Sequence, residues 1–148
     1  MRCWAILLLV LAACLPQRVE FERAAALLRA GQVAEARRRF VRLSRTREEA
    51  GRVRAALGAA QASAILRDAV AQRHWLERAA APPEVAGLSE EAYFELGEFL
   101  RTNGQLADAL SYYYRAAAAA RRTENRALYE RAIRRLAALG APPFGAPP

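Results

Sequence analysis

Apolar residues recur every three or four positions along most of the chain, which is the pattern of amphipathic α-helices. Seven such stretches follow one another between Gln17 and Leu139. No run alternates β-branched residues as a half-buried strand does. Alanine, leucine and arginine are also strong helix formers. The pattern therefore predicts an all-α fold.

Capping and helix-breaking residues set the expected ends of these helices, because glycine suits the residue after a helix and hydroxyl, carboxyl or amide side chains suit the residue before one. The expected helix-ending residues are Gly31, Gly104, Gly140 and the pair Pro82-Pro83. The expected N-caps are Thr46, Asp68, Ser89, and either Thr123 or Asn125. The buried faces are expected to include Val33, Ala36, Phe40, Val41, Leu43, Val53, Ala56, Leu57, Ala60, Ala64, Val70, Trp75, Leu76, Leu128, Tyr129, Ala132, Ile133 and Leu136.

A six-residue sequence occurs twice, first from Gly31 to Ala36 and again from Gly104 to Ala109. Such self-similarity indicates repeated helix pairs. Aligning three pairs places small residues at one position, the turn at a second, a close helix approach at a third and an aromatic ring at a fourth. In chain order these sets are Ala24, Gly58 and Gly97; Gly31, Ile65 and Gly104; Ala36, Val70 and Ala109; Phe40, His74 and Tyr113. The predicted steps are 34 and 39 residues.

The third pair resembles the tetratricopeptide repeat. Its matching residues are Tyr93, Leu96, Gly97, Leu100, Gly104, Ala109, Tyr113 and Ala116. The second pair departs from the family at Gln61, His74 and Glu77, where apolar or small residues are usual. The resemblance implies a short solenoid of about three helix pairs with a C-terminal capping helix, over residues 17–139. An irregular helical bundle with a purely structural role would use the same apolar stripes.

The first 14 residues resemble a bacterial lipoprotein signal. Arg2 is followed by an apolar run from Trp4 to Leu11, which is too short to span a bilayer as a helix. The sequence Leu11-Ala12-Ala13-Cys14 then resembles the lipobox, in which cleavage precedes a cysteine that carries lipid. The resemblance implies a signal peptide at 1–13, a lipidated N-terminus at 14–16 and a place in the cell envelope facing the periplasm. The resemblance also implies the outer membrane of Gram-negative cells, because the residue after the cysteine is Leu15 rather than Asp.

The formal net charge is +8, and every basic residue is arginine. Such a balance suits an anionic partner or plain solvation of helix faces. If the chain is exported, nucleic acid is not an expected partner, and anionic lipid is the alternative ligand. The residues expected to contact an anionic surface are Arg37, Arg38, Arg39, Arg42 and Arg45.

No catalytic, metal or cofactor site is indicated. The chain has one histidine, and its two cysteines are assigned to the signal peptide and to lipidation. The remaining expectation is a scaffold or adaptor that binds a protein or peptide in the groove which tetratricopeptide stacks form, serving an outer-membrane, pilus or secretion assembly. The expected groove residues are Arg18, Phe21, Ala25, Leu28, Glu91, Phe94, Glu98 and Arg101. The proline-rich tail, 140–148, is expected to be disordered.

Overall fold

The protein is described by a computed structural model over residues 17–81 and 83–142, and within these ranges it contains seven helices and no strand. The predicted all-α fold is confirmed. The chain divides into two compact units, unit 1 ending at Gln72 and unit 2 beginning at Arg73. The lipobox-like sequence, the predicted signal peptide and the part of the predicted tail beyond Pro142 lie outside the described residues.

Unit 1 contains α1 (17–29), α2 (Val33–Leu43) and α3 (Glu49–Ile65). The fourth helix, α4 (Ala69–Ala79), crosses the division between the units. Unit 2 contains α5 (Ser89–Thr102), α6 (Leu106–Arg122) and α7 (Arg126–Ala138). Within unit 1, α2 packs on α3; within unit 2, α6 packs on both α5 and α7. Each unit is therefore built from helices that follow one another in the sequence.

The two copies of the repeated hexamer begin at helix ends of the same geometry. Gly31 and Gly104 both have φ of 77°, a backbone conformation that costs glycine nothing. The next N–H, of Gln32 or Gln105, donates to the carbonyl of Leu27 or Leu100 at 2.9 Å. This is the Schellman arrangement, which satisfies the last carbonyls of a helix.

The corresponding turn after α3 corrects the predicted alignment. Ile65 is the last residue of α3, and the left-handed position is taken two residues later by Arg67, with φ of 57°. The Asp68 N–H donates to the backbone carbonyl of Ser63 at 2.9 Å, which is the same hydrogen bond as at the other two helix ends. The left-handed residues after α1, α3, α5 and α7 are Gly31, Arg67, Gly104 and Gly140, at steps of 36, 37 and 36 residues. The predicted steps of 34 and 39 residues are wrong. The turn is centred on Arg67 rather than on a glycine, so the sequence alignment placed it two residues too early, at Ile65.

Two of the four expected N-caps are confirmed and two are wrong. Asp68 Oδ1 accepts from Ala71 N–H at 3.0 Å, and Asn125 Oδ1 accepts from Leu128 N–H at 3.2 Å. Thr46 instead accepts a hydrogen bond from Gln17, and α3 begins only at Glu49. Ser89 is the first helical residue of α5, and its Oγ accepts from Val85 N–H in the preceding loop at 2.7 Å.

Small residues meet aromatic rings in both cores. A Cβ added to Gly97 would lie 2.8 Å from Cε1 of Tyr113, and one added to Gly58 would lie 2.6 Å from Cε1 of Phe40. Gly58 therefore packs on the helix before it, rather than on the aligned position 74. His74 is exposed.

The other predicted core residues fall into three groups according to their burial. Ala36, Phe40, Val53, Ala56, Ala60, Leu76, Leu128, Ala132 and Leu136 are buried as predicted. Val33, Val41, Leu43, Leu57, Trp75, Tyr129 and Ile133 are half-buried. Val70 is 83% exposed and Ala64 is exposed, so the predicted burial of these two residues is wrong. Both lie next to the turn between α3 and α4, where the predicted alignment of the helix pairs is wrong by two residues.

Candidate functional site

Each unit contains an aromatic pair formed by its own first and second helices. In unit 1, Phe21 and Phe40 have ring centroids 5.4 Å apart; in unit 2, Phe94 and Tyr113 are 5.7 Å apart. The third helix of each unit places an arginine over the phenylalanine of the first helix. These contacts make the first-helix phenylalanines equivalent, and they let the surroundings of one be compared with those of the other.

In unit 2 this phenylalanine is covered. The Arg131 guanidinium lies 4.2 Å from the ring centroid of Phe94, which is only 3% exposed. Arg131 is held there by Glu91 at 3.6 Å and Glu95 at 3.7 Å. Phe94 and Glu91, two of the predicted groove residues, thus pack against α7, as expected if these residues meet the next helix rather than a peptide.

Glu98, a third predicted groove residue, is the centre of a hydrogen-bonded cluster from all three helices of unit 2. It accepts from Tyr113 Oη at 2.5 Å, from Arg135 Nε at 2.6 Å and from Arg101 at 3.1 Å. Burial raises the pKa of Glu98, but these three hydrogen bonds outweigh burial and hold that pKa below its ordinary value. Burial and the bond to Glu98 raise the pKa of Tyr113. These shifts favour the charged form of the Glu98 carboxylate and the neutral form of the Tyr113 phenol, and the cluster joins α5, α6 and α7.

In unit 1 the equivalent phenylalanine borders an open cleft. Phe21 is half-buried, and the Arg54 guanidinium lies 5.7 Å from its ring centroid, farther away than Arg131 lies from Phe94. The cleft has a volume of about 170 Å³, comparable with a cavity that holds a benzene ring. It is lined by Gln17, Arg18, Phe21, Leu43, Thr46, Glu48, Gly51 and Arg54. The cleft thus combines an apolar floor with two exposed arginines at its rim.

The structure therefore brings together only part of the predicted groove. Arg18 and Phe21 line the cleft, while Ala25 and Leu28 continue along α1 as half-buried residues outside its lining. Leu43, Glu48, Gly51 and Arg54 were not predicted as site residues. A sequence signal was available only for Gly51, because a glycine inside a predicted helix lowers helix propensity and can mark a close packing contact. An added Cβ there would lie 3.1 Å from Thr46 Cγ2. No sequence pattern marked Arg54 as the residue above Phe21.

The five arginines predicted to contact an anionic surface fall into two groups. Arg37 pairs with Asp68 at 2.8 Å, Arg38 with Glu35 at 2.7 Å, and Arg39 with Glu35 at 3.2 Å and Glu20 at 3.3 Å. Hydrogen bonds from Arg38 and Arg39 lower the pKa of Glu35. The Ala71 N–H and then Arg37 lower the pKa of Asp68. Arg42 and Arg45, both exposed, have no such partner within the described part of the chain.

The positive charge of the chain is concentrated in unit 1. Residues 17–72 contain 12 arginines and 6 acidic residues, whereas residues 73–142 contain 10 arginines and 9 acidic residues. Acidic partners in unit 2 are therefore nearly sufficient for its arginines, and those in unit 1 are not.

No protein-family model, curated protein or solved structure matches this chain. Within residues 17–81 and 83–142, no helix has both the length and the apolar composition needed to cross a membrane. No group of three histidine, cysteine or acidic side chains in these ranges is arranged to hold a metal ion.

Proposed function

We propose that this protein is a lipid-anchored adaptor of the bacterial cell envelope, which binds a protein or peptide partner along α1 of unit 1. The partner surface comprises Arg18, Phe21, Ala25 and Leu28 together with the cleft beside Phe21. The anchor is Cys14, in the lipobox-like sequence Leu11-Ala12-Ala13-Cys14. Resemblance to tetratricopeptide repeats supports the same role, because arrays of helix pairs present extended binding surfaces.

One observation carries the choice of surface. Two equivalent phenylalanines have different surroundings: Phe94 is 3% exposed beneath Arg131, while Phe21 borders an open cleft. Accessible apolar surface rimmed by polar residues is typical of an interaction site, and of these two phenylalanines Phe21 offers it. The arginines at the rim, Arg18 and Arg54, favour a partner segment in which a carboxylate lies next to an apolar side chain.

Site-specific photocrosslinking in cells tests the surface. A photoreactive phenylalanine analogue at Ala25, on the proposed surface, is expected to capture a defined partner. The same analogue at Ala127, an exposed alanine of α7, serves as the matched control. A second change, Phe21→Ser, is expected to abolish the product formed from position 25. Identical products from both positions, or a product that survives Phe21→Ser, would place the partner elsewhere.

Fractionation tests the anchor separately. The Cys14→Ala variant is expected to accumulate as an unprocessed chain, whereas the unaltered protein fractionates with membranes in its processed form. The proposed anchor fails if the variant is still processed and remains attached to membranes in the same way.

A further inference from the structure

The end of unit 1 nearest to Cys14 can be located from hydrogen bonding. Gln17 Nε2, in the first turn of α1, donates to Thr46 Oγ1 at 2.7 Å. The loop between α2 and α3, residues 44–48, therefore lies beside the start of α1. Cys14 lies three positions before Gln17 in the sequence, and a chain step of three residues spans at most about 11 Å. Whatever membrane holds Cys14 is therefore close to this loop.

Three exposed arginines occupy this anchor-proximal end. Arg42 is in the last turn of α2, and Arg45 and Arg47 are in the loop that follows. Within the described residues, none of the three has an ion pair, a side-chain hydrogen bond or an aromatic contact. Glu48 is the one acidic residue of the loop, and it is also exposed. By contrast, Arg37, Arg38 and Arg39, nearer the start of α2, are already paired with acidic residues.

We infer that Arg42, Arg45 and Arg47 bind the phosphate groups of anionic phospholipids in the membrane that carries Cys14, and so orient unit 1 with this loop towards the bilayer. The inference rests on the proposed lipid anchor. Guanidinium groups stay charged and bind phosphate in a forked geometry. Each basic residue near an anionic membrane surface changes the ratio of docked to undocked protein by about fivefold. A lipid anchor and a cluster of basic residues act together, because the first removes the cost of bringing the second to the surface.

The test uses the full lipidated protein in vesicles of phosphatidylglycerol and phosphatidylcholine, or of phosphatidylcholine alone. An environment-sensitive fluorophore is attached at Glu48→Cys in the anchor-proximal loop, or at Ile65→Cys, an exposed position at the end of α3. The fluorophore at position 48 is expected to enter an apolar environment only in vesicles with phosphatidylglycerol, and to leave it as salt rises. The fluorophore at position 65 is expected to stay in water in both.

Two double variants of unit 1 provide a matched comparison. Both replace two exposed arginines that have no acidic partner in the described structure, so both lose the same charge. Arg42→Gln with Arg45→Gln is expected to reduce the docked-to-undocked ratio roughly 25-fold. Arg29→Gln with Arg67→Gln, at the last residue of α1 and in the turn after α3, is expected to leave the ratio unchanged. Equal effects of the two variants, or no response at position 48 to phosphatidylglycerol, would overturn the orientation alone. If the unaltered protein does not float with the vesicles in a density gradient, the proposed lipid anchor is overturned as well.

Discussion

Adding one methyl group at Gly58 tests the packing of unit 1 directly. The Cβ of alanine there would lie 2.6, 2.7 and 2.8 Å from three atoms of the Phe40 ring. The ring has little room to move, because it is 2% exposed and packs against Phe21 with centroids 5.4 Å apart. The methyl group therefore requires α2 and α3 to separate by a fraction of an ångström.

Two opposing effects set the expected magnitude. Alanine is favoured over glycine inside a helix by about 1 kcal/mol. Overpacking a filled core costs about 1–3 kcal/mol, and contacts this short with an aromatic ring belong at the upper end. Gly58→Ala is therefore expected to lower the free energy of unfolding by about 1–2 kcal/mol.

The assay is urea unfolding of the variant and of Gly51→Ala, in the same helix. There the added Cβ meets only the ends of side chains, at 3.1 Å from Thr46 and 3.2 Å from Glu48, so the change should be neutral or stabilising by up to about 1 kcal/mol. Introducing Phe40→Leu should remove most of the penalty of Gly58→Ala, as a double-mutant cycle would show. If Gly58→Ala stabilises the protein as much as Gly51→Ala does, the close approach of α2 and α3 is refuted.

The remaining predictions concern unit 2. Glu124, in the turn after α6, has a left-handed backbone with φ of 56°, which glycine adopts without strain. Glu124→Gly should therefore stabilise the protein by about 1 kcal/mol in thermal melts, whereas Glu124→Ala should not. Glu98→Gln should destabilise by about 1–2 kcal/mol at neutral pH; because the folded-state pKa of Glu98 is lowered, the difference from the unaltered protein should vanish as pH falls through that pKa in urea titrations. Glu95 shows the opposite sign: burial and then the nearby Glu91 raise its pKa, so its carboxylate costs stability as pH rises, and Glu95→Gln should stabilise at neutral pH but not in acid. A Glu95→Gln variant that is less stable at neutral pH would contradict this assignment.

Much of the helical layout could be predicted from residues with local effects. Glycine after a helix and Asp68 or Asn125 before one act through nearby backbone, so Gly31, Gly104 and both caps were identifiable. Arg67 could not be recognised in the same way, since a non-glycine residue in the left-handed conformation has no marker in the sequence. Misplacing this turn shifted the predicted alignment of the second helix pair. The predicted burial of Val70 is therefore wrong, because Val70 is exposed.

The candidate site was less predictable because it depends on distant residues. Spacing along α5 identified Phe94 as lying on one helix face, but only the position of α7 decides that Arg131 covers it. Likewise, Arg54 meets Phe21 across α1 and α3, and nothing local in either helix specifies this contact. The ion pair between Arg37 and Asp68 also joins residues that are distant in the sequence. Local sequence therefore could not show which arginines of α2 are paired and which are not.

The packing of each helix on its neighbour in sequence has a kinetic consequence. Contacts of α2 with α3, and of α6 with α5 and α7, close only short loops, so each unit has a low contact order. Chains of this kind fold within microseconds to milliseconds, because little entropy is lost before native contacts form. The unfolded chain would thus acquire its helical units quickly, with little time for exposed apolar segments to aggregate.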